Sequence, residues 1–150
     1  MRIAIGSDHA GFSLKQDLAA FLIDAGHQVD DLGTTGAERV DYPDFGAAVG
    51  RAVASGGSEL GVCVCGTGIG ISIAANKVDG VRAAVVHDVT SARLAKEHND
   101  ANVVCIGARL IGPEVAQEAL HAFLATSWEG GRHAQRVEKI SALEHDRVVP

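Results

Sequence analysis

Short apolar runs alternate along this chain with stretches whose apolar residues recur at helical spacing. The runs Ile3 to Gly6, Gln28 to Leu32, Leu60 to Cys65, Arg82 to His87 and Asn102 to Gly107 read as strands, apolar on both faces and separated by lengths that suit crossover helices. Strands buried on both faces and linked in this way predict a parallel sheet covered by helices on each side. The expected fold is therefore an α/β class, three-layer α/β/α Rossmann-like sandwich with a five-stranded parallel sheet. Ser13 is placed to cap a first helix, whose Leu14, Leu18, Phe21 and Leu22 share one face and whose end is Gly26. Pro43 and Asp44 open a second helix through Val53, Pro113 opens another to about Ala125, and Gln135 to about Leu143 forms a last piece.

The third strand runs straight into Cys65-Gly66-Thr67-Gly68-Ile69-Gly70, a glycine-rich turn that opens a small-residue helix. Glycines at 66, 68 and 70 let backbone come close to a ligand and aim successive N–H groups at it. An anion, or an oxygen becoming one, is favoured there. Cys65 stands at the strand end facing these donors, where a thiolate gains from the helix N-terminus. The turn holds no Asp, Glu or His, so proton transfer at this place falls to the cysteine or to a group reaching in.

Two nucleotide-binding patterns fail. The glycines follow the third strand instead of the first, and no Gly-Lys-Ser/Thr closes the loop. A phosphatase loop requires Arg where Ile71 stands. In open parallel sheets ligands sit beyond the carboxyl ends of the strands, and several polar residues fall there: Asp8 and His9 after the first strand, His87 and Asp88 after the fourth, Arg109 after the fifth. His98 and Asn99 end the fourth helix, at the opposite edge of the sheet, which suggests that they serve a second subunit's crevice.

Each candidate has a plainer reading. Asp8 suits a turn or helix cap; Cys63, one residue pair deeper on the face of Cys65, reads as core filling. Arg132 and Arg136, four apart, suit a solvated helix face, and His27, His121, His133 and His145 read as surface.

Bulk composition narrows the field. The 150 residues, 47% of them hydrophobic, are enough for one domain over 1–150, with a C-terminal helix and tail at about 134–150. A net charge of -6 without a basic arm argues against nucleic acid or an anionic membrane as partner. No apolar stretch is long enough to cross a bilayer and strand-like residues begin at once, so the expected location is cytoplasmic. Three cysteines do not form a disulfide framework, and Cys63-x-Cys65 lacks partners for a metal, so neither metal nor cofactor is expected.

Taken together, Gly-Ser-Asp-His-Ala-Gly-Phe at 6–12, Asp-Tyr-Pro at 41–43, the run from Cys65 to Lys77, His-Asn-Asp at 98–100 and Glu-Gly-Gly-Arg-His-x-x-Arg-Val at 129–137 resemble ribose-5-phosphate isomerase type B. The resemblance spans nearly the whole chain in order. It implies metal-independent interconversion of D-ribose 5-phosphate and D-ribulose 5-phosphate, in homodimers that share their sites, with tetramers left open. By this resemblance Cys65 is the base for transfer between C1 and C2, Thr67 relays a proton or holds an enediol oxygen, and Asp8 and His98 open the sugar ring. Asn99 orients the sugar, and His9, Arg109, Arg132 and Arg136 hold the phosphate. Gly66, Thr67, Gly68, Ile69 and Gly70 supply backbone to the substrate, and Tyr42 with the loop from Gly33 to Asp41 bounds the sugar end. Ile71 stands where a cysteine-lacking subgroup carries glutamate, which places the chain in the cysteine-using branch. The rival readings are a hexose 6-phosphate isomerase of the same family, a sugar-phosphate-binding module without catalysis and, more remotely, a flavin-carrying electron carrier.

Overall fold

A computed structural model describes residues 1–145; the end of the expected C-terminal tail, residues 146–150, lies outside the described residues. Five strands, β1 (Arg2–Ser7), β2 (Gln28–Asp31), β3 (Leu60–Cys65), β4 (Ala83–Val85) and β5 (Val103–Gly107), form one sheet in the order β2-β1-β3-β5-β4. Every pairing is parallel. The helices are α1 (Phe12–Asp24), α2 (Tyr42–Ala54), α3 (Ile69–Ala75), α4 (Val89–Asn99), α5 (Pro113–Ala125) and α6 (Ala134–His145), with a 3-10 turn at Gly131–His133.

Alternation along the strands builds two cores. Ile3, Ile5, Val62, Val64, Val104 and Ile106 face one layer, where they meet Leu14, Leu18 and Leu22 of α1, Leu120 and Phe123 of α5, and the small face of α4. Ala4, Cys63, Cys65, Val103 and Cys105 face the other layer and pack against Val49 and Val53 of α2 and Ile71 and Ala75 of α3. Each fully buried Leu, Val or Phe contributes about 1.5–3 kcal/mol over its exposed state, which is why strands apolar on both faces hold the centre of the sheet. Cys63 is such a core residue, fully buried below Cys65 on the same face.

Several boundaries shift from those read in the sequence. Ser13 lies inside α1, whose cap position is Gly11, because the Asp8 carboxylate accepts the Gly11 N–H and the turn closes one step earlier. Helix α1 ends at Asp24 and Gly26 follows with a φ of 85°. The fourth strand is trimmed to Ala83–Val85, since at the sheet edge only these residues find partners on β5. Leu32 lies just beyond β2 and Asn102 just before β5, whereas β1 extends to Arg2 and Ser7.

The strand order reverses direction at β1, which pairs with β2 on one side and β3 on the other. Loops leaving neighbouring strands to opposite sides open a crevice at such a switch point. Here the crevice lies above the ends of β1 and β3.

Candidate active site

Ser7 and Val64 are register partners, so the loops beginning at Asp8 and Gly66 start side by side. A third segment crosses them. The Ser7 N–H donates to the Gly33 carbonyl at 2.6 Å and the Thr34 N–H donates back to the Ser7 carbonyl at 2.8 Å, carrying the chain after β2 over the end of β1. Lys15 anchors the same segment from below: its ammonium, almost fully buried, donates to both Asp31 carboxylate oxygens at 2.6 Å and to the Thr34 carbonyl at 2.8 Å. A buried cation persists only with such partners. This anchoring brings Arg39 and Tyr42 to the rim of the crevice.

The result is an open cavity of about 450 Å³. Buried Cys65 and Gly66 form its floor, one wall is Asp8 and His9, and Thr67, Tyr42, Arg39, Ile69, Gly70 and Arg109 complete the rim. Cys65 is 4% exposed, and its Sγ accepts the Gly68 N–H at 3.1 Å. That bond strengthens as the sulfur gains negative charge. Gly68 must be glycine here, with φ at 74° and the Ile106 carbonyl carbon 2.9 Å from where a Cβ would stand. Gly70 is equally constrained by contact: a Cβ there would meet the Tyr42 ring at 2.7 Å. The Thr67 hydroxyl accepts the Ile69 N–H at 3.2 Å, which holds the turn open toward the cavity.

The turn thus spends two of its donors on its own side chains, Gly68 on sulfur and Ile69 on Thr67. Gly70, in the first turn of α3, has no intrahelical acceptor for its N–H and so can bond a guest. Asp8 is buried, with Oδ1 taking the Gly11 N–H at 3.0 Å, so it is a turn residue and a cavity wall at once. His9 Nδ1 lies 3.1 Å from the Val40 carbonyl oxygen and 3.3 Å from its nitrogen, which fixes the ring and leaves Nε2 without a protein partner among the described residues. The Arg109 guanidinium lies beside Gly66, 3.1 Å from the place of its absent Cβ. Two guanidinium groups and an imidazole against one carboxylate make the cavity locally cationic in an acidic chain.

His98, Asn99, Arg132 and Arg136 are absent from this cavity. Helix α4 starts beyond β4 and ends at Asn99, near the start of β5, hence at the opposite edge of the sheet. The Glu129 N–H donates to the Glu97 carbonyl at 3.0 Å and docks the 129–133 segment on this helix end. There His98 stacks on His133, ring centroids 4.2 Å apart, and Arg132 donates from Nε to His133 Nε2 at 3.2 Å. Asn99 borders a separate hollow with Asn76, Arg82 and Ile140. Arg132 and Arg136 are exposed, the first in the 3-10 turn and the second in α6, so they do not share the continuous helix face that their spacing suggested.

Comparison with known proteins gives the family of the chain. The profile of the Ribose/Galactose Isomerase family matches residues 3–140. The chain belongs to this family. Ribose-5-phosphate isomerase B of Escherichia coli is 49% identical over 97% of this chain and 98% of its own. The D-erythrulose-4-phosphate isomerase of Pectobacterium atrosepticum is 44% identical over 97% of this chain and 96% of its own. A solved structure of ribose-5-phosphate isomerase B from Clostridium thermocellum superposes with a TM-score of 0.97 at 50% identity, covering 99% of this chain and 100% of the other.

Within this Ribose/Galactose Isomerase chain, two site features escaped the sequence reading. Arg39 lines the cavity from within the loop Gly33 to Asp41 expected to bound the sugar end, yet nothing singles out this residue of the loop before the Ser7 and Lys15 contacts fold it inward. His133, read as surface, is 5% exposed because the Glu129 bond presses its short turn against α4. The stacking of His98 on His133 has no local signature, since 34 intervening residues are bridged only by the fold.

Proposed function

We propose that this chain interconverts D-ribose 5-phosphate and D-ribulose 5-phosphate, an aldose-ketose isomerisation through an enediolate in the non-oxidative pentose phosphate route. The observation that carries the reading is the floor of the cavity: a cysteine thiol bonded to a glycine-turn N–H at 3.1 Å, with cationic side chains on the surrounding rim. Family membership and the near-full-length similarity to ribose-5-phosphate isomerase B support it.

The steps follow from the groups in place. Cys65, as thiolate, takes the proton from C2 of the open-chain aldose and returns it to C1, while a proton moves from O2 to O1. The charge developing on the enediolate oxygens calls for fixed donors, and the Gly70 N–H and the Thr67 hydroxyl stand at the cavity edge to supply them. His9 Nε2, Arg109 and Arg39 hold the phosphate, the guanidinium forks matching its oxygens. Asp8, with one oxygen committed to Gly11 and the other without a hydrogen-bond partner among the described residues, accepts a sugar hydroxyl during ring opening. No step calls for a metal or a cofactor.

The remaining site residues come from a second copy. His98 as ring-opening proton donor, Asn99 as sugar ligand, and Arg132 and Arg136 as phosphate ligands lie at the far edge of the sheet, so only a homodimer joins them to a Cys65 cavity. The exposed apolar residues Ile69 and Ile73 of α3 and Tyr42 at the rim supply apolar surface beside that cavity for a partner to cover. We read the whole chain as one isomerase unit working in the cytoplasm. Among the described residues no helix is long and apolar enough to cross a membrane.

Turnover of ribose 5-phosphate in excess EDTA, beside the Cys65→Ala variant and allose 6-phosphate, tests the reading. Preferred pentose turnover that Cys65→Ala lowers by about 10²–10⁴ is expected for loss of a catalytic base. Turnover of the hexose phosphate alone would move the substrate to a six-carbon sugar, and retained activity in Cys65→Ala would remove the thiol from the mechanism.

A further inference from the structure

We infer that His98, Glu129 and His133 form a binding site for a divalent transition cation of the zinc class, and that its occupation stops turnover. One ligand atom from each of these three residues lies within 4.8 Å of the other two. His133 Nε2 is 3.3 Å from the Glu129 carboxylate, and the His98 ring stacks on His133 at 4.2 Å. Two imidazoles and one carboxylate are a ligand set that zinc, cobalt and nickel take readily, with water completing the shell.

A cation already has its place in this cluster. The Arg132 guanidinium donates from Nε to His133 Nε2 at 3.2 Å, on the same nitrogen that faces the Glu129 carboxylate. His133 Nε2 thus either accepts from Arg132 or, when protonated, donates to Glu129; with its lone pair free it faces the carboxylate, and a metal ion between the two would satisfy both at once. The stacked rings lie nearly parallel, 12° apart, so a shared ion requires His98 to turn about its side-chain bonds. His98 is only partly buried and at a helix end, which leaves it room to do so. Glu129 is 48% exposed in the single chain.

The consequence for catalysis rests on the function proposed above. An ion held here takes a ring nitrogen of His98, the residue assigned to ring opening, and displaces Arg132 from its tie to His133. The cation is then an inhibitor, not a cofactor, and removing it restores activity.

The test separates binding from inhibition. Full-length protein is titrated with Co²⁺ and followed by absorption, and Zn²⁺ is added to compete. Expected are one ion per chain and weak visible bands without the near-ultraviolet band of thiolate ligation. Glu129→Gln, an exposed and conservative change, and His133→Gln each weaken affinity by about tenfold or more. Affinity unchanged in Glu129→Gln, or a thiolate band that persists undiminished in that variant, would place the ion on a cysteine and overturn the site. In the second arm, Zn²⁺ slows ribose 5-phosphate turnover by wild type and EDTA restores it. In Glu129→Gln, measured against its own metal-free rate, about tenfold more Zn²⁺ is needed for the same slowing. Binding with the expected spectrum but undiminished turnover would leave the site standing and overturn its link to His98 in catalysis.

Discussion

The three thiols of this chain share one sheet face but not one environment. Cys105, opposite Cys63 in register, is fully buried, and burial first, then its contact with the Cys63 thiol, pushes its titration well above the ordinary thiol range. Thiolate is the species that reacts with an alkylating reagent, so Cys105 is inert at neutral pH while the fold is intact. Cys65 alone lines the cavity. Limited iodoacetamide treatment at about pH 8, read by peptide mass spectrometry, is expected to label Cys65 first, with protection by ribose 5-phosphate. Labelling of Cys63 or Cys105 at a similar rate would contradict this burial. The Tyr42 ring offers a second residue-level test. An added Cβ in Gly70→Ala must push the ring aside, and because Tyr42 is 41% exposed the ring can swing outward without breaking the core. We expect kcat/KM to fall about tenfold or more while stability changes by no more than about 1–3 kcal/mol. The double variant with Tyr42→Ala should be no worse than Tyr42→Ala alone; simple addition of the two losses would show that Gly70 acts by another route.

At the scale of elements, the sequence was most legible where one physical signal acted locally. Leu60 to Cys65 is apolar throughout because both of its faces are buried, and the strand was found with its observed bounds. The glycine turn was legible for the same reason: positive φ and close approach demand glycine wherever the chain may be read. Ser13 misled because a hydroxyl residue ahead of an apolar helix is a good cap, yet the Asp8 bond to Gly11 had already closed the turn. Arg39 and the pairing of buried Lys15 with half-exposed Asp31 were illegible since each depends on a loop laid over a strand end by distant partners. The cap of α4 lies between these cases, for Asp88 reads in sequence as a strand-end residue and works as a helix cap. Its carboxylate accepts the Ser91 N–H at 2.7 Å and the Ser91 hydroxyl at 2.9 Å. The Ser91 backbone bond, followed by the hydroxyl, holds the Asp88 carboxyl below the usual aspartate range. With the folded value depressed, the stabilisation is complete above the unfolded pKa of about 3.9 and is lost as pH falls through the folded one. Asp88→Ala should therefore lower the thermal midpoint at about pH 7, and the gap from wild type should narrow toward about pH 3. An equal gap at both would show that the charge of the cap contributes nothing.

For the whole molecule the decisive fact is that one chain divides its family motifs between two edges of one sheet. Cys65, Asp8 and His9 gather at the carboxyl ends of β1 and β3, and His98, Asn99, Arg132 and Arg136 at the other edge. A parallel sheet cannot bend these groups together, because the strands between them are the rigid centre of both cores. Two copies related by a two-fold axis can, each lending its far edge to the other's cavity, and such an isologous pair makes two equal sites. Cys65→Ala and His98→Ala homodimers then each lack one required group in both sites. In the mixed dimer one site carries both substitutions and the other carries neither, so a single intact site returns. Random exchange at equal amounts gives half mixed dimers with one working site of two, or about a quarter of wild-type activity from two variants that are individually inactive. Subunit exchange is verified first by mass spectrometry of differently tagged chains, and activity is then followed as the mixture equilibrates. Recovery that rises with the mixed-dimer fraction places Cys65 and His98 in one composite site. Verified exchange without recovery would mean that His98 does not serve the partner's cavity, and its stacked pairing with His133 would then be a structural contact of the α4 end alone.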